Sequence, residues 1–341
     1  MSMLSTTTSQ NAGQSVREIT LGQAIRETLA EELRRDPHVF IMGEDVAEAG
    51  TPFKVLSGLV EEFGTARVID TPISEAGITG LGVGMAMTGM RPIVDIMFGD
   101  FIALALDQIV NQAAKVHYMS GGKLKVPLVV RTTLGATRRT GAQHSQSLHA
   151  WVSHVPGLKV VLPSTPYDAK GLLKTAIRDE NPVIFFEDKM MYQLKGLVPD
   201  GEYTIPFGVA DIKRPGTDIT IVATSSMVQI ALAAAEALEK IDINAEVVDP
   251  RTTSPLDKVT LIESAKKTSR AIVVDEGYEN YGVTAEMAAT IAEGAFYYLD
   301  APVKRLGAMD VPVPFSPVLE DLTVPTADSV VEVAKTLCGR V

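Results

Sequence analysis

Two acidic residues and one histidine stand where an α/β protein presents reactive side chains. Glu44 follows Val39 to Met42, a short apolar run that reads as a strand ending in Gly43-Glu44-Asp45. Glu75 lies in Thr71-Pro72-Ile73-Ser74-Glu75-Ala76-Gly77, a tight turn that opens a Gly/Ala-rich helix. Ser74 can cap the free backbone donors of the first turn, and the helix dipole favours a negative charge there. A carboxylate kept charged at that place is a good acceptor for a polar ligand. It is equally a favourable first-turn residue and nothing more. Glu44 is either a second acid in the same pocket or a solvated loop acid. His144, in the polar run Gly141-Ala142-Gln143-His144-Ser145-Gln146-Ser147, either moves protons near neutral pH or is a structural polar histidine.

Metal and phosphate chemistry find less support. His149 and His154 follow His144 at steps of five, and five residues turn a helix by about 500°. The three rings therefore diverge, unlike the i, i+4 pair of a helical zinc site, and a histidine metal cluster is rejected. Asp179-Glu180-Asn181-Pro182 ends a helix, where carbonyls and side-chain oxygens can hold a hard cation; a plain turn explains the same residues. Gly80-Leu81-Gly82-Val83-Gly84 lies inside the predicted helix, not between a strand and a helix, so no dinucleotide or P-loop fingerprint is present. If the chain is an enzyme, it shows no phosphate-binding apparatus of its own.

The elements that must position these residues alternate. Thr20-Leu21-Gly22-Gln23 resembles a capping box, and Leu21, Ala24, Ile25, Leu29 and Leu33 continue at helical spacing until Pro37. Strands are expected at 39–42, 67–69, 93–97, 126–130, 159–162 and 183–186. Helices are expected from Glu75 to Met90, Phe101 to Met119 and Pro166 to Ile177. The recurrent glycines of 77–89 each cost a helix roughly 1 kcal/mol against Ala, which points to close packing or ligand approach. Continuously apolar strands alternating with helices indicate an α/β domain with a mostly parallel sheet. Residues 193–207, rich in Gly and Pro, read as a linker. A smaller α/β pattern follows, with strands at 219–223, 245–248 and 271–274, helices at 227–240, 256–264 and 284–293, and a last helix near 327–337.

Composition bounds the function. The 341 residues have room for about two domains, and 46% hydrophobic with 21% charged residues is ordinary globular usage. A net charge of −11 argues against nucleic acid and anionic membrane surfaces as partners. The one cysteine, Cys338, excludes an intramolecular disulfide and a Cys-based zinc site, and fits a reducing compartment. No apolar run approaches the ~18 residues of a membrane span. Met1 to Gln14 is polar with no basic residue and no apolar core. It reads as a disordered lead-in rather than a signal peptide, and a cytoplasmic location is expected.

Ordered motifs from about Arg17 to the C-terminus resemble a known family. Met42-Gly43-Glu44-Asp45-Val46, Asp70-Thr71-Pro72-Ile73-Ser74-Glu75, Arg91-Pro92-Ile93, Asp107-Gln108, Tyr118-Met119-Ser120-Gly121-Gly122, Gln143-His144-Ser145-Gln146 and Pro156-Gly157-Leu158-Lys159-Val160-Val161 look like the β subunit of thiamine-diphosphate-dependent 2-oxo acid dehydrogenases. Gln146-Ser147-Leu148, Phe185-Phe186-Glu187-Asp188-Lys189, Tyr203-Thr204-Ile205-Pro206 and the run 312–321 lean toward the acetoin-cleaving branch, ahead of pyruvate and branched-chain homologues.

The resemblance implies a transketolase-like pyrimidine-binding domain over 17–192, after a lead-in of 1–16. A linker of 193–207 and a smaller transketolase C-terminal-like α/β domain over 208–341 complete the expected layout. It also implies that a separate α subunit holds the diphosphate and Mg²⁺ through a Gly-Asp-Gly motif; here Gly99-Asp100 is followed by Phe101, so that motif is missing. Thiamine diphosphate would be shared between the two chains. Glu75 matches the activating glutamate of the aminopyrimidine, Glu44 a second acid near the ring, and Phe101 the aromatic packed on it. His144 matches a histidine at the entrance that assists transfer to the lipoyl group. Leu128, Ala176, Ile177, Asp179 and Asn181 match a structural K⁺ site. Gly99 stands where some relatives carry an aromatic, which would alter the pocket. Arg138 and Arg139 either meet an acidic lipoyl domain or form a solvated pair. Expected partners are the α subunit, a lipoyl-bearing acyltransferase and a second copy of the chain in a heterotetramer. A self-contained transketolase-like chain and a non-catalytic scaffold are the competing readings; the missing Gly-Asp-Gly motif opposes the first, and Glu75 with His144 opposes the second.

Overall fold

The computed structural model describes residues 15–340. The expected lead-in of Met1 to Gln14 lies outside the described residues, and Val16 already belongs to a strand.

The strands, in chain order, are β1 (Val16–Thr20), β2 (Val39–Gly43), β3 (Val68–Asp70), β4 (Arg91–Ile96), β5 (Val129–Leu134), β6 (Lys159–Val161) and β7 (Val183–Asp188). They continue with β8 (Lys195–Pro199), β9 (Asp211–Arg214), β10 (Ile219–Ala223), β11 (Ala245–Asp249), β12 (Thr252–Ser254), β13 (Ala271–Tyr278) and β14 (Lys304–Ala308). The large sheet has seven strands in the order β12-β6-β7-β5-β4-β2-β3, all parallel except the β12–β6 pair. A second sheet runs β14-β13-β10-β11-β9, parallel except for β9 at its edge. Strands β2, β5 and β7 are buried at every position because helices cover both faces.

The first helix, Leu21–Arg35, starts at the expected capping box: Gln23 N–H donates to Thr20 Oγ1 at 3.1 Å and Thr20 N–H to Gln23 Oε1 at 2.8 Å. The helix Glu75–Met87 uses Gly82 to lie on the sheet, since a Cβ there would come within 2.6 Å of the Val94 side chain. The last helix, Ala327–Leu337, falls where its pattern placed it.

Three expectations change. The strand expected at 126–130 is β5 at 129–134, because Pro127 has no N–H to give a ladder. The long helix expected from Phe101 is a 3₁₀ turn at Gly99–Phe101, then helix with a π-type turn over Gln108–Ala113. Residues 193–207 are built into the fold: β8 pairs antiparallel with β1, Ile205 is buried, and Tyr203 stacks on Tyr167 at 4.6 Å. Strand β12, from beyond that segment, completes the edge of the large sheet, so the two α/β units share it.

Candidate active site

Five neighbouring strands deliver side chains to one edge. Glu44 leaves β2, Glu75 follows β3 through the capped turn, Phe98 and Phe101 follow β4, the His144 loop follows β5, and Lys189 follows β7. This is the carboxyl edge of a parallel sheet, where ligands of such folds bind.

Ser74 Oγ accepts the Gly77 N–H at 3.3 Å and fixes the start of the helix that carries Glu75. A Cβ at Gly77 would lie 2.9 Å from Ser74 Oγ, so glycine gives the cap room. Glu44 is half-buried; burial, then Asp45 and Glu75, push its carboxyl above the usual range. The two acids therefore feel one another. Phe98, Phe101 and His144 form an edge-to-face cluster, with ring centroids 4.7 Å apart for Phe98–His144 and 5.3 Å for Phe101–His144. Phe53 extends the wall, 5.8 Å from Phe98, and carries the Arg138 guanidinium 4.8 Å over its ring.

Gly99 is not a variable pocket wall. It is buried, and a Cβ would sit 2.1 Å from the Thr133 carbonyl oxygen, so the main chain itself demands glycine and Phe98 supplies the aromatic surface. Asp100 does not point toward a metal. Its Oδ1 accepts the N–H groups of Ser145 at 3.2 Å and Gln146 at 3.1 Å, and the Gln146 amide at 3.0 Å. Nor is Arg139 a free docking cation. It ties to Glu320 Oε2 at 2.8 Å and Asp321 Oδ1 at 2.7 Å, anchoring the loop before His144 to the second α/β unit. His149 is buried against Asp275 at 3.0 Å and His154 is exposed, so the histidines part company as their spacing required.

Under the site lies a buried ion cluster. Arg131 on β5 bridges Asp95 on β4 and Glu187 on β7, and the Tyr192 hydroxyl donates to Glu187 at 2.8 Å. Burial pushes both carboxyls up despite the guanidinium.

The residues matched to a K⁺ site lie on the opposite, amino edge. Leu128 precedes β5, and Asp179 and Asn181 precede β7. Arg91 Nη1 donates to the carbonyls of Ile177 at 3.0 Å and Asp179 at 3.1 Å, and the Lys159 ammonium rests on the Asp179 carboxylate. The Ala176 carbonyl takes the Asp179 N–H at 3.3 Å, the Leu128 carbonyl takes the Val183 N–H at 2.9 Å, and the Asn181 amide donates to Asp179 at 3.1 Å. The chain's own cations and N–H groups thus serve these acceptors, and a K⁺ there would share the Ile177 and Asp179 carbonyls with Arg91.

Sequence reasoning missed Asp100, Phe98, Phe53 and the Arg131 cluster. For Phe98, Asp100 and Lys189 a usable signal was position alone: Lys189 directly follows β7, and Phe98 and Asp100 lie in the turn after β4, at the carboxyl edge.

The arrangement can offer two carboxylate acceptors, an aromatic platform and a histidine, with no glycine-rich phosphate cradle beside them. A mostly parallel sheet with helices on both faces and those groups at its carboxyl edge, joined to a second mostly parallel sheet, defines the transketolase-like class. Residues 17–195 match the transketolase pyrimidine-binding domain and residues 208–330 the transketolase C-terminal domain. The β subunit of acetoin:2,6-dichlorophenolindophenol oxidoreductase from Bacillus subtilis (strain 168) is 50% identical over 336 residues, covering 95% of this chain and 98% of that protein. The pyruvate dehydrogenase E1 component subunit β of Rickettsia felis is also 50% identical, over 321 residues, covering 94% of this chain and 98% of that protein. A solved split-gene transketolase, described as an inactive β4 tetramer, shares the fold with a TM-score of 0.77 at 24% identity, covering 94% of this chain and 98% of its own. The chain belongs to the family of β subunits of thiamine-diphosphate-dependent 2-oxo acid and acetoin dehydrogenases.

Proposed function

We propose that this β subunit acts with an α subunit to cleave acetoin and pass the acetyl unit oxidatively to lipoamide on an acyltransferase partner, in the cytoplasm. The observation that carries the reading is the pair Glu75 and Glu44 at adjacent strand ends, with Phe101 in the turn after the next strand. Two acceptors against an aromatic face suit the edge and plane of an aminopyrimidine. Thiamine diphosphate, when bound, supplies the carbanion chemistry. Glu75 would accept a hydrogen bond from the pyrimidine N1′ and hold that ring's tautomer. Glu44 would hold a proton nearby, consistent with its raised proton affinity. Phe101 would pack on the ring and exclude water from it, and His144 would serve the incoming lipoyl group. The diphosphate and its Mg²⁺ fall to the α subunit, since Asp100 is spent on the His144 loop. Two copies of each chain would form the working heterotetramer.

The alternative is the same role with pyruvate or a branched 2-oxo acid, favoured by the equal identity to a pyruvate dehydrogenase β subunit. To test both, the chain is purified from its native host with its associated subunits. Dye reduction is then compared for acetoin, pyruvate and branched 2-oxo acids, with thiamine diphosphate and Mg²⁺. Preference for acetoin is expected; preference for a 2-oxo acid keeps the Glu75 role and changes the substrate. Glu75→Gln should lower turnover about 10²–10⁴-fold while assembly persists. A near-normal rate in that variant sinks the assignment and favours the scaffold reading. The isolated chain should bind thiamine diphosphate poorly; micromolar affinity without the α subunit would contradict a shared site.

A further inference from the structure

The peptide group joining His144 to Ser145 is gripped at both ends by opposite charges. Its carbonyl accepts from Lys189 Nζ at 2.6 Å and Thr140 Oγ1 at 2.9 Å. Its N–H donates to Asp100 Oδ1 at 3.2 Å. Asp100 comes from the turn after β4 and Lys189 from the end of β7, so two fixed strand ends hold one loop peptide. Both groups are buried, Asp100 at 8% exposure and Lys189 at 2%. A lone buried charge is costly, and the Lys189 ammonium is offset by Asp100, Glu276 and Asp188. Burial pushes the Lys189 ammonium down, and Asp100 leads the groups that draw it back up. Asp100 Oδ1 also accepts the Gln146 N–H at 3.1 Å and the Gln146 amide at 3.0 Å, while Oδ2 is buried without a hydrogen-bond partner. Lys189 Nζ also lies 5.7 Å from the centre of the Phe98 ring, the ring that packs on His144.

We propose that Asp100 and Lys189 form a charge clamp on the His144–Ser145 peptide and are the positioning residues that aim the His144 ring at the incoming lipoyl group. Charge-assisted bonds at both ends of one peptide plane fix the backbone beneath the imidazole, and the Phe98 and Phe101 rings fix its plane. The clamp rests on the reading of His144 as a transfer residue.

The test uses the assembled enzyme with Asp100→Ala, Asp100→Asn, Lys189→Met and the double variant Asp100→Asn/Lys189→Met. Dye reduction bypasses lipoyl transfer, and reductive acetylation of a lipoyl domain reports it. Deuterium uptake over 141–147 reports the loop directly. Asp100→Ala should slow lipoyl transfer about 10–100-fold and dye reduction only about threefold, with faster exchange over 141–147. Asp100→Asn should recover much of the transfer rate, because its oxygen can still accept. Lys189→Met alone should be worse than the double variant, which removes the Asp100 charge along with the lysine while Glu276 and Asp188 lose the ammonium in both. Parallel loss of both rates would make the pair a support of the fold and overturn the proposal. So would unchanged transfer despite faster exchange. Failure of the functional reading itself would appear separately, as a Glu75→Gln enzyme that still reduces dye.

Discussion

The two edges of the large sheet carry similar side chains and treat them differently. At the amino edge, the acceptors around Asp179 are met by Arg91, Lys159 and main-chain N–H groups. At the carboxyl edge, Glu44 is held above its usual range by burial and then by Asp45 and Glu75, and Asp100 Oδ2 stays buried without a donor. Unmet acceptors lower stability, so a fold keeps them where something else gains from them. The difference fits a structural role for the amino edge and the ligand site proposed at the carboxyl edge.

The largest effects should separate the edges by kind. Glu75→Gln should cost rate, about 10²–10⁴-fold, and shift the unfolding temperature by less than about 2 °C, because the glutamate sits at a helix start already capped by Ser74. Arg91→Met should do the reverse. It strips a cation from two carbonyls and from Glu180, which should lower unfolding free energy by about 2–3 kcal/mol with turnover per assembled enzyme within about twofold. Denaturant unfolding beside dye reduction measures both. A large stability loss in Glu75→Gln, or a large rate loss in Arg91→Met, would erase the contrast.

Glu44 gives a smaller, pH-dependent effect. Its proton affinity is higher folded than unfolded, from burial first and then from Asp45 and Glu75. Such a group favours the fold when protonated, and stability falls as pH rises from the ordinary glutamate value through the raised one. Glu44→Gln should therefore gain on the wild type as pH rises above the ordinary glutamate value, by less than about 1 kcal/mol because the side chain is partly solvated. Unfolding temperatures across that rise in pH decide it. A gap that opens instead as pH falls would mean Glu44 is stabilised in its charged form.

Much of this was legible in the sequence where local chemistry dominates. Ser74 capping a helix, Thr20 and Gln23 closing a box, and apolar strands ending in Glu44 are rules of short range. The short strands β1, β9, β12 and β14 were not legible, because VREIT, DIKR, TTS and KRLGA carry no clean alternation and owe their pairing to distant partners. Gly99 misled for a related reason. A glycine reads as space in a sequence, whereas here it is contact, with the Thr133 carbonyl where a side chain would go. The roles of Asp100 and Lys189 depend on two strand ends 89 positions apart meeting one loop, which no local pattern encodes.

The smallest predicted effect bears on the amino edge alone. Family resemblance assigns K⁺ to Leu128, Ala176, Ile177, Asp179 and Asn181, while the fold gives the Ile177 and Asp179 carbonyls to a guanidinium. A monovalent ion stabilises by RT ln(1 + [L]/Kd), which stays small when binding is weak. Exchanging K⁺ for tetramethylammonium at constant ionic strength should then shift the unfolding temperature by less than about 2 °C, and Arg91→Met should become K⁺-sensitive because it vacates the carbonyls. A larger shift in the unaltered chain would mean that K⁺ displaces Arg91. The amino edge would then hold open acceptors of its own, and ligand binding would no longer distinguish one edge from the other.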